Sequence, residues 1–329
     1  MKHRFRAYLR YPFWIFVKSI YKSLAHLEDR WLVSTNRKLK YPPIFIIGPP
    51  RSGTTLLYQL IVHCFHVAYF PNVAAMFPEA PVLATRIGRK LFRPYKSNFT
   101  STYGLVQGWM APHEAGQIWN RWFPTEWKNG YNYTPAGHFA DAVKHLIYQT
   151  VAGIEAIFDA PFVNKNVKHS VRIQALSEIF PSALFLQMKR NPLDVAISIL
   201  HSRRERCENI NDWWSVMPKE INQLKHKDVL EQIVGQIFFI EQDIKEDVGI
   251  IGHEHLFVVY YEELCDNPQG VLNDLKLFIN KHGGKLKPKY PIPNAFKRAQ
   301  SGKNASRSEV KKLEMLLKEY YGQQKDREI

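Results

Sequence analysis

Cysteine is nearly absent. Cys64, Cys207 and Cys265 are the only three in 329 residues, and they stand too far apart to suggest a zinc site, an iron–sulfur cluster or a disulfide framework, so a reducing compartment is expected. Long apolar runs are missing as well. The longest near the start, Phe13, Trp14, Ile15, Phe16 and Val17, is hemmed in by Pro12 and Lys18, whereas a membrane-spanning helix needs about 20 predominantly apolar residues. That run is also too short for a secretory signal, and no small-residue cleavage pattern follows it. Acids and histidines do not cluster at ligand spacing, so no metal is expected. Negative charge is in deficit: 30 Asp and Glu stand against 45 Lys and Arg, a formal balance of +15. Such an excess draws the chain to anionic partners. Nucleic acid, an acidic membrane surface, a polyanionic glycan and a multiply charged nucleotide all satisfy it.

What is present is enough apolar content, 45%, for one large core. Residues 1–40 are basic and aromatic and read as an amphipathic helical extension. Such a helix either lies on an anionic membrane surface or packs on the protein's own core. Residues 41–329 form the second unit, a single domain. From Tyr41 on, strand-like and helix-like segments alternate, which predicts an α/β architecture with a mainly parallel sheet flanked by helices. Ile44 to Gly48 is continuously apolar, as suits a strand covered on both faces. Leu56, Leu57, Leu60, Ile61 and Cys64 follow at helical spacing. A helix near 171–180, a strand from Ala183 to Met188 and a helix carrying Leu193, Ala196, Ile197 and Leu200 make a second unit. A third strand, Leu256 to Tyr260, precedes a helix with Val271, Leu275, Phe278 and Ile279. Between the first two units, Phe77 to Asn132 reads as loops and short helices inserted for substrate contacts.

The first chemical signal is Gly48-Pro49-Pro50-Arg51-Ser52-Gly53-Thr54-Thr55, set between the first strand and the first helix. Glycine lets the backbone curl so that successive N–H groups and the positive end of a helix dipole converge on an anion. Thr54 and Thr55 add hydroxyls, and Arg51 adds a cation. The glycine spacing is that of a nucleotide-binding P-loop, but Thr54 stands where such a loop places its lysine. A P-loop nucleotide-dependent kinase is therefore the weaker alternative.

The second signal is Phe185-Leu-Gln-Met-Lys-Arg190-Asn-Pro-Leu-Asp194-Val-Ala-Ile-Ser198. Arg190 ends a buried strand, where a bidentate guanidinium suits a phosphate. Asp194 and Ser198 lie on one face of the helix that follows.

Together these two elements resemble the bacterial-type sulfotransferases that use 3′-phosphoadenosine-5′-phosphosulfate (PAPS). Pro50 to Thr55 matches that family's 5′-phosphosulfate loop without a gap, and the resemblance spans about Tyr41 to Asn280. It implies a P-loop-NTPase-like fold and PAPS as co-substrate. It assigns Arg51, Ser52, Gly53, Thr54 and Thr55 to the 5′ end of the cofactor, and Arg190 and Ser198 to its 3′-phosphate. It also implies transfer of a sulfuryl group to a hydroxyl or amine of a carbohydrate, a lipid or a small molecule, without nucleic acid as partner. Fainter echoes are Asn166-Val-Lys168-His169, with Lys168 near cofactor or acceptor, the Tyr260-Tyr261-Glu262-Glu263-Leu264 run, and a basic segment from Lys297 to Lys303 over the 3′-phosphate. The expected location is cytoplasmic, with residues 1–40 a candidate for peripheral contact with the inner membrane surface.

In-line displacement builds negative charge on the leaving phosphate oxygen, which Arg51 and the loop N–H groups are placed to stabilise. The acceptor must lose a proton, so a general base is expected. Many relatives place a glutamate soon after the loop, but here that stretch is Tyr69-Phe-Pro-Asn72. The candidates are Glu114 and His113 in the insert, with Glu114 preferred and His66 and Glu79 in reserve. The aromatics Trp109, Trp119, Trp122, Phe123 and Trp127 crowd the same insert and suit either sugar stacking, lipid enclosure or core packing.

Overall fold

The computed structural model describes residues 25–102, 104–123, 132–299 and 305–325. Helix α1 spans 25–35. Strand β1 (Ile44–Ile47) leads into α2 (Thr54–Cys64) and β2 (Phe65–His66). The insert holds α3 (Asn72–Met76), α4 (Pro81–Leu91) and α5 (Gly116–Trp119), and α6 (Asp141–Phe158) closes it. β3 (Val163–Lys165), α7 (Ile173–Ile179), β4 (Leu184–Lys189) and α8 (Pro192–Arg206) make the second unit. Then come α9 (Ile221–Leu224), α10 (Val229–Ile251), β5 (Leu256–Tyr260), α11 (Tyr261–Asp266), α12 (Pro268–Lys281), β6 (Lys287–Pro288) and α13 (Arg307–Lys325).

Four strands form the main sheet in the order β3-β1-β4-β5, and every pairing in it is parallel. The expected α/β class is thus what the chain adopts. β2 and β6 form a separate antiparallel pair. Because β1 has a neighbour on each side and helices on both faces, all four of its residues are buried, which is why its sequence is an unbroken apolar run. Its side chains alternate between two cores, as a pleated strand requires. Ile44 and Ile46 pack with Leu57, Leu60 and Ile61 of α2 and with Leu272 and Leu275 of α12. Phe45 and Ile47 point the other way, among Trp119, Ile147, Phe162, Leu176 and Ile244. A third cluster ties α8 to α10 and α13.

Parallel strands all point their carboxyl ends at one edge, so the segments after β1, β3, β4 and β5 emerge side by side. In open α/β sheets that edge is where ligands bind.

The N-terminal extension is helical over 25–35, and residues 1–24 lie outside the described part of the chain. Helix α1 is fastened to α4 by Glu28, whose buried carboxylate accepts the N–H groups of Val82 at 3.0 Å and Leu83 at 2.6 Å. These belong to the first turn of α4, where the N–H groups have no partner within the helix. Burial pushes the Glu28 carboxyl up from 4.5 to about 7, against those two hydrogen bonds.

With its folded pKa above its unfolded one, Glu28 contributes stability that is complete below pH 4.5 and is lost as pH rises through about 7. Glu28→Gln keeps one of the two acceptor oxygens and removes the titration. Denaturant unfolding at about pH 5 and about pH 8.5 should show the native chain losing up to about 3 kcal/mol relative to the variant. Identical pH dependence in both would show that Glu28 does not titrate in this range.

Candidate active site

The loop after β1 is built on two glycines in the left-handed half of backbone space. Gly48 has φ 139°, and a Cβ there would stand 2.6 Å from the Met188 carbonyl oxygen of β4. Gly53 has φ 102° and caps α2, and a Cβ there would stand 2.5 Å from the Tyr261 ring. Only glycine meets both conditions. The curl delivers the first turn of α2, with Thr54 and Thr55, to the mouth of a cleft of about 560 Å³. Arg51, Arg190, Lys165 and Lys297 line this cleft, and Glu114 is the one carboxylate among its lining residues. Four cations, one anion and the positive end of a helix favour a ligand carrying several negative charges.

The two sequence elements meet here directly. Arg51 Nε donates to Ser198 Oγ of α8 at 2.9 Å. Arg190 follows β4, and its guanidinium lies over the Tyr261 ring, 4.5 Å from the centroid. Its Nη1 donates to the Arg51 carbonyl at 3.3 Å and its Nη2 to the Ala299 carbonyl at 3.0 Å. Tyr261, first residue of α11, supports both ends of this arrangement: its ring fills the space Gly53 leaves, and its hydroxyl accepts the Ala299 N–H at 3.0 Å. Asp194 approaches Arg190 at 3.8 Å.

The opposite wall comes from the end of β3. Lys165 forms an ion pair with Glu114, its side chain only 4% exposed against 31% for the carboxylate. The two neighbours of Lys165 clip the insert in place. Asn164 Oδ1 accepts the Trp119 indole N–H at 2.9 Å, its Nδ2 donates to the His113 carbonyl at 3.4 Å, and Asn166 Nδ2 donates to the Glu114 carbonyl at 3.3 Å. These bonds set the height at which Glu114 enters the cleft.

Several residues expected at the site sit elsewhere. Ser52 is buried within the loop, where its hydroxyl donates to the Pro49 carbonyl at 2.8 Å; it shapes the loop and does not line the cleft. Ser198 is reached through Arg51 and does not itself border the cleft. His113 turns away from the cleft because its Nδ1 accepts the N–H of Ala115, a residue in left-handed backbone, at 2.8 Å; burial pushes its pKa down. Lys168 is not among the lining residues, and burial lowers its pKa, with Arg172 adding to the effect. His66 borders a separate groove and Glu79 pairs with Arg121 at 3.2 Å. Trp119 and Phe123 are core residues, closed to any ligand. Trp127 and residues 300–304 of the basic segment lie outside the described part of the chain.

Conversely, Tyr261 lines the cleft from the run Tyr260 to Leu264, and so do four residues that belong to no motif read in the sequence, Lys165, Trp214, Phe99 and Phe296. A signal existed for Lys165 alone: three polar residues, Asn164, Lys165 and Asn166, directly follow the apolar Phe162-Val163.

A parallel sheet with a glycine-built anion cradle after its central strand, faced by an arginine from the neighbouring strand, defines a P-loop-like, anion-handling class of protein. Within that class the chain belongs to the sulfotransferase family, whose model matches residues 42–280. The chain is 23% identical over 252 residues to omega-hydroxy-beta-dihydromenaquinone-9 sulfotransferase Stf3 of Mycobacterium bovis and of Mycobacterium tuberculosis. That match covers 71% of this chain and 61% of the relatives' length. The fold is also similar to sulfotransferase STF1 from Mycobacterium tuberculosis H37Rv, with a TM-score of 0.52, 13% identity and coverage of 91% and 81% of the two chains. It is similar to sulfotransferase STF9 from Mycobacterium avium, with a TM-score of 0.50, 16% identity and coverage of 78% and 67%.

Gly53→Ala should cost about 1–3 kcal/mol from the backbone conformation alone, before the clash with the Tyr261 ring is counted. Thermal unfolding is the measurement. A variant as stable as the native chain would mean that the loop relaxes freely and that the cradle is not held by Tyr261.

Proposed function

We propose that this chain transfers a sulfuryl group from PAPS to a hydroxyl on a lipid-like acceptor. The observation that carries the proposal is the single cleft in which the loop from Arg51 to Thr55 faces Arg190, with Arg51 bridging to Ser198. One nucleotide phosphorylated at both its 5′ and 3′ ends meets two cationic groups and a helix N-terminus there. PAPS supplies an activated sulfur, attacked by the acceptor oxygen as the bond between sulfur and the 5′-phosphate oxygen breaks. The electron pair of that bond stays on the 5′-phosphate, so charge grows beside the loop.

Arg51 and the N–H groups of Thr54 and Thr55 stabilise that charge; removing one such donor typically costs about 3–4 kcal/mol of transition-state energy. Arg190 holds the 3′-phosphate and so fixes how far the 5′ end reaches into the cleft, while Ser198 keeps the Arg51 guanidinium in place. Glu114 takes the acceptor's proton. Lys165 keeps the Glu114 carboxylate aimed inward, and once that carboxylate is neutralised the Lys165 ammonium is left to face the sulfuryl oxygens. Support for a lipid-like acceptor comes from the name of the Stf3 relatives and from Phe99, Phe296 and Trp214, which give the cleft an apolar side.

Two measurements test this. By calorimetry, 3′-phosphoadenosine 5′-phosphate should bind at least tenfold more tightly than adenosine 5′-phosphate, and Arg190→Ala should abolish the difference, since a charged hydrogen bond contributes about 1.5–3 kcal/mol. Equal affinities in the native chain would remove the 3′-phosphate role. Glu114→Gln should keep nucleotide affinity and lower kcat by about 10²–10⁴, while His113→Ala stays active. An active Glu114→Gln would place the base elsewhere.

A further inference from the structure

We propose that α1 and α4 form a face that docks on an anionic lipid bilayer. Helix α4 turns Ala84, Thr85 and Gly88 inward, and a Cβ on Gly88 would meet Val73 Cγ1 at 2.7 Å and the Met110 sulfur at 3.2 Å. Its outward side carries Leu83, Ile87 and Leu91, spaced four apart and 39%, 47% and 70% exposed. Residues at this spacing form one stripe along a helix. Leu27 of α1, 64% exposed, extends it: Leu27, Trp31, Val82 and Leu83 line one apolar groove of about 250 Å³ between the two helices. Beyond Leu91 the band continues through Phe92, on which half-exposed Trp109 stacks at 5.0 Å. Single exposed leucines are ordinary, but a continuous apolar band marks an interaction surface.

The charge beside the band selects the partner. Arg30, Lys90, Arg93 and Lys96 are exposed, and Arg86 lies over the Trp31 ring at 5.2 Å. The nearby acids are occupied: Glu28 is buried under the α4 N-terminus, and Asp29 and Glu79 both pair with Arg121. An apolar stripe with a basic flank is the pattern of a helix lying in the interface of an anionic membrane. The sequence before α1 has the same charge bias, with Arg6, Arg10, Lys18 and Lys22 beside Phe13, Trp14 and Phe16 and no Asp or Glu among residues 1–24. No helix among the described residues is long and apolar enough to cross a membrane, so the bilayer is met by a face. A protein partner would need complementary acids at Lys90, Arg93 and Lys96; an anionic leaflet supplies them anywhere.

The test is flotation of the full-length protein with vesicles of phosphatidylcholine, alone or mixed with phosphatidylglycerol. Partition is independent of sulfuryl transfer, so the result stands apart from the proposed activity. The native chain should float with the anionic vesicles and be released by salt. Leu83→Ser/Ile87→Ser/Leu91→Ser should lower the bound fraction about tenfold or more. Lys90→Glu/Arg93→Glu should remove the preference for phosphatidylglycerol by a similar factor. Unchanged nucleotide affinity shows that both variants are folded. Three outcomes would overturn the proposal. One is a native chain that binds anionic vesicles no better than neutral ones. Another is binding that survives in both variants, which would place it in residues 1–24. The third is a dimer, seen by sedimentation, that the triple variant dissolves, making the stripe a contact between two copies.

Discussion

Arg51 and Arg190 are brought together at the wall of the cleft, and the site depends on how that is done. Two guanidinium groups repel; among the described residues Ser198 holds Arg51, and Arg190 is held by the carbonyls of Arg51 and Ala299, by the Tyr261 ring beneath and, at longer range, by Asp194. Neutral acceptors orient a cation without cancelling its charge. The cleft therefore keeps its positive potential when no ligand is bound, and any anion that bridges the two arginines relieves their repulsion as well as forming its own hydrogen bonds. Asp194, at 3.8 Å from Arg190 and partly exposed, offsets only a fraction of that charge in solvent.

This arrangement follows from the sheet. With β1 between β3 and β4 and all strands parallel, the residues leaving β1, β3, β4 and β5 become neighbours although they are far apart in sequence. The packing is tight enough to dictate residue types. Gly48 leaves room for the Met188 carbonyl of β4, and Gly53 leaves room for Tyr261 after β5. Gly48 thus answers to the neighbouring strand β4, and Gly53 to the first residue of α11.

What the sequence made legible and what it hid divide along the same line. The loop from Gly48 to Thr55 and the Arg190 segment were readable because each is local: a buried strand, a turn and a helix in one continuous stretch. The Glu114–Lys165 pair was half visible. Glu114 could be named as an acid in the insert, but its partner lies 51 positions on at the end of a strand only three residues long, too short to show a period. Ser52 was read by its match to the loop pattern, and burial inside the turn gave it a different task. His113 and Glu114 are adjacent, and no pattern in the sequence reveals that Asn164 and Asn166 hold the backbone so that the acid faces the cleft and the imidazole caps a turn. Trp119 has the composition of a ligand-stacking residue, yet Asn164 binds its indole nitrogen inside the core. The long helix α10 lines no part of the cleft.

The insert does two jobs with one piece of chain. Its first part, α3 and α4, buries Gly88 against Val73 and leaves Leu83, Ile87 and Leu91 outside. Its second part turns back along Phe92 to Ser97, and Phe99, Thr100, Ser101 and Gly104 then form a wall of the cleft. A Cβ on Gly104 would stand 2.6 Å from Glu114 Oε1, so this wall reaches the carboxylate itself. Met110, which packs against Gly88, lies only four residues before Glu114. The outward apolar band and the acid in the cleft are therefore joined through a few packed residues in one stretch of chain.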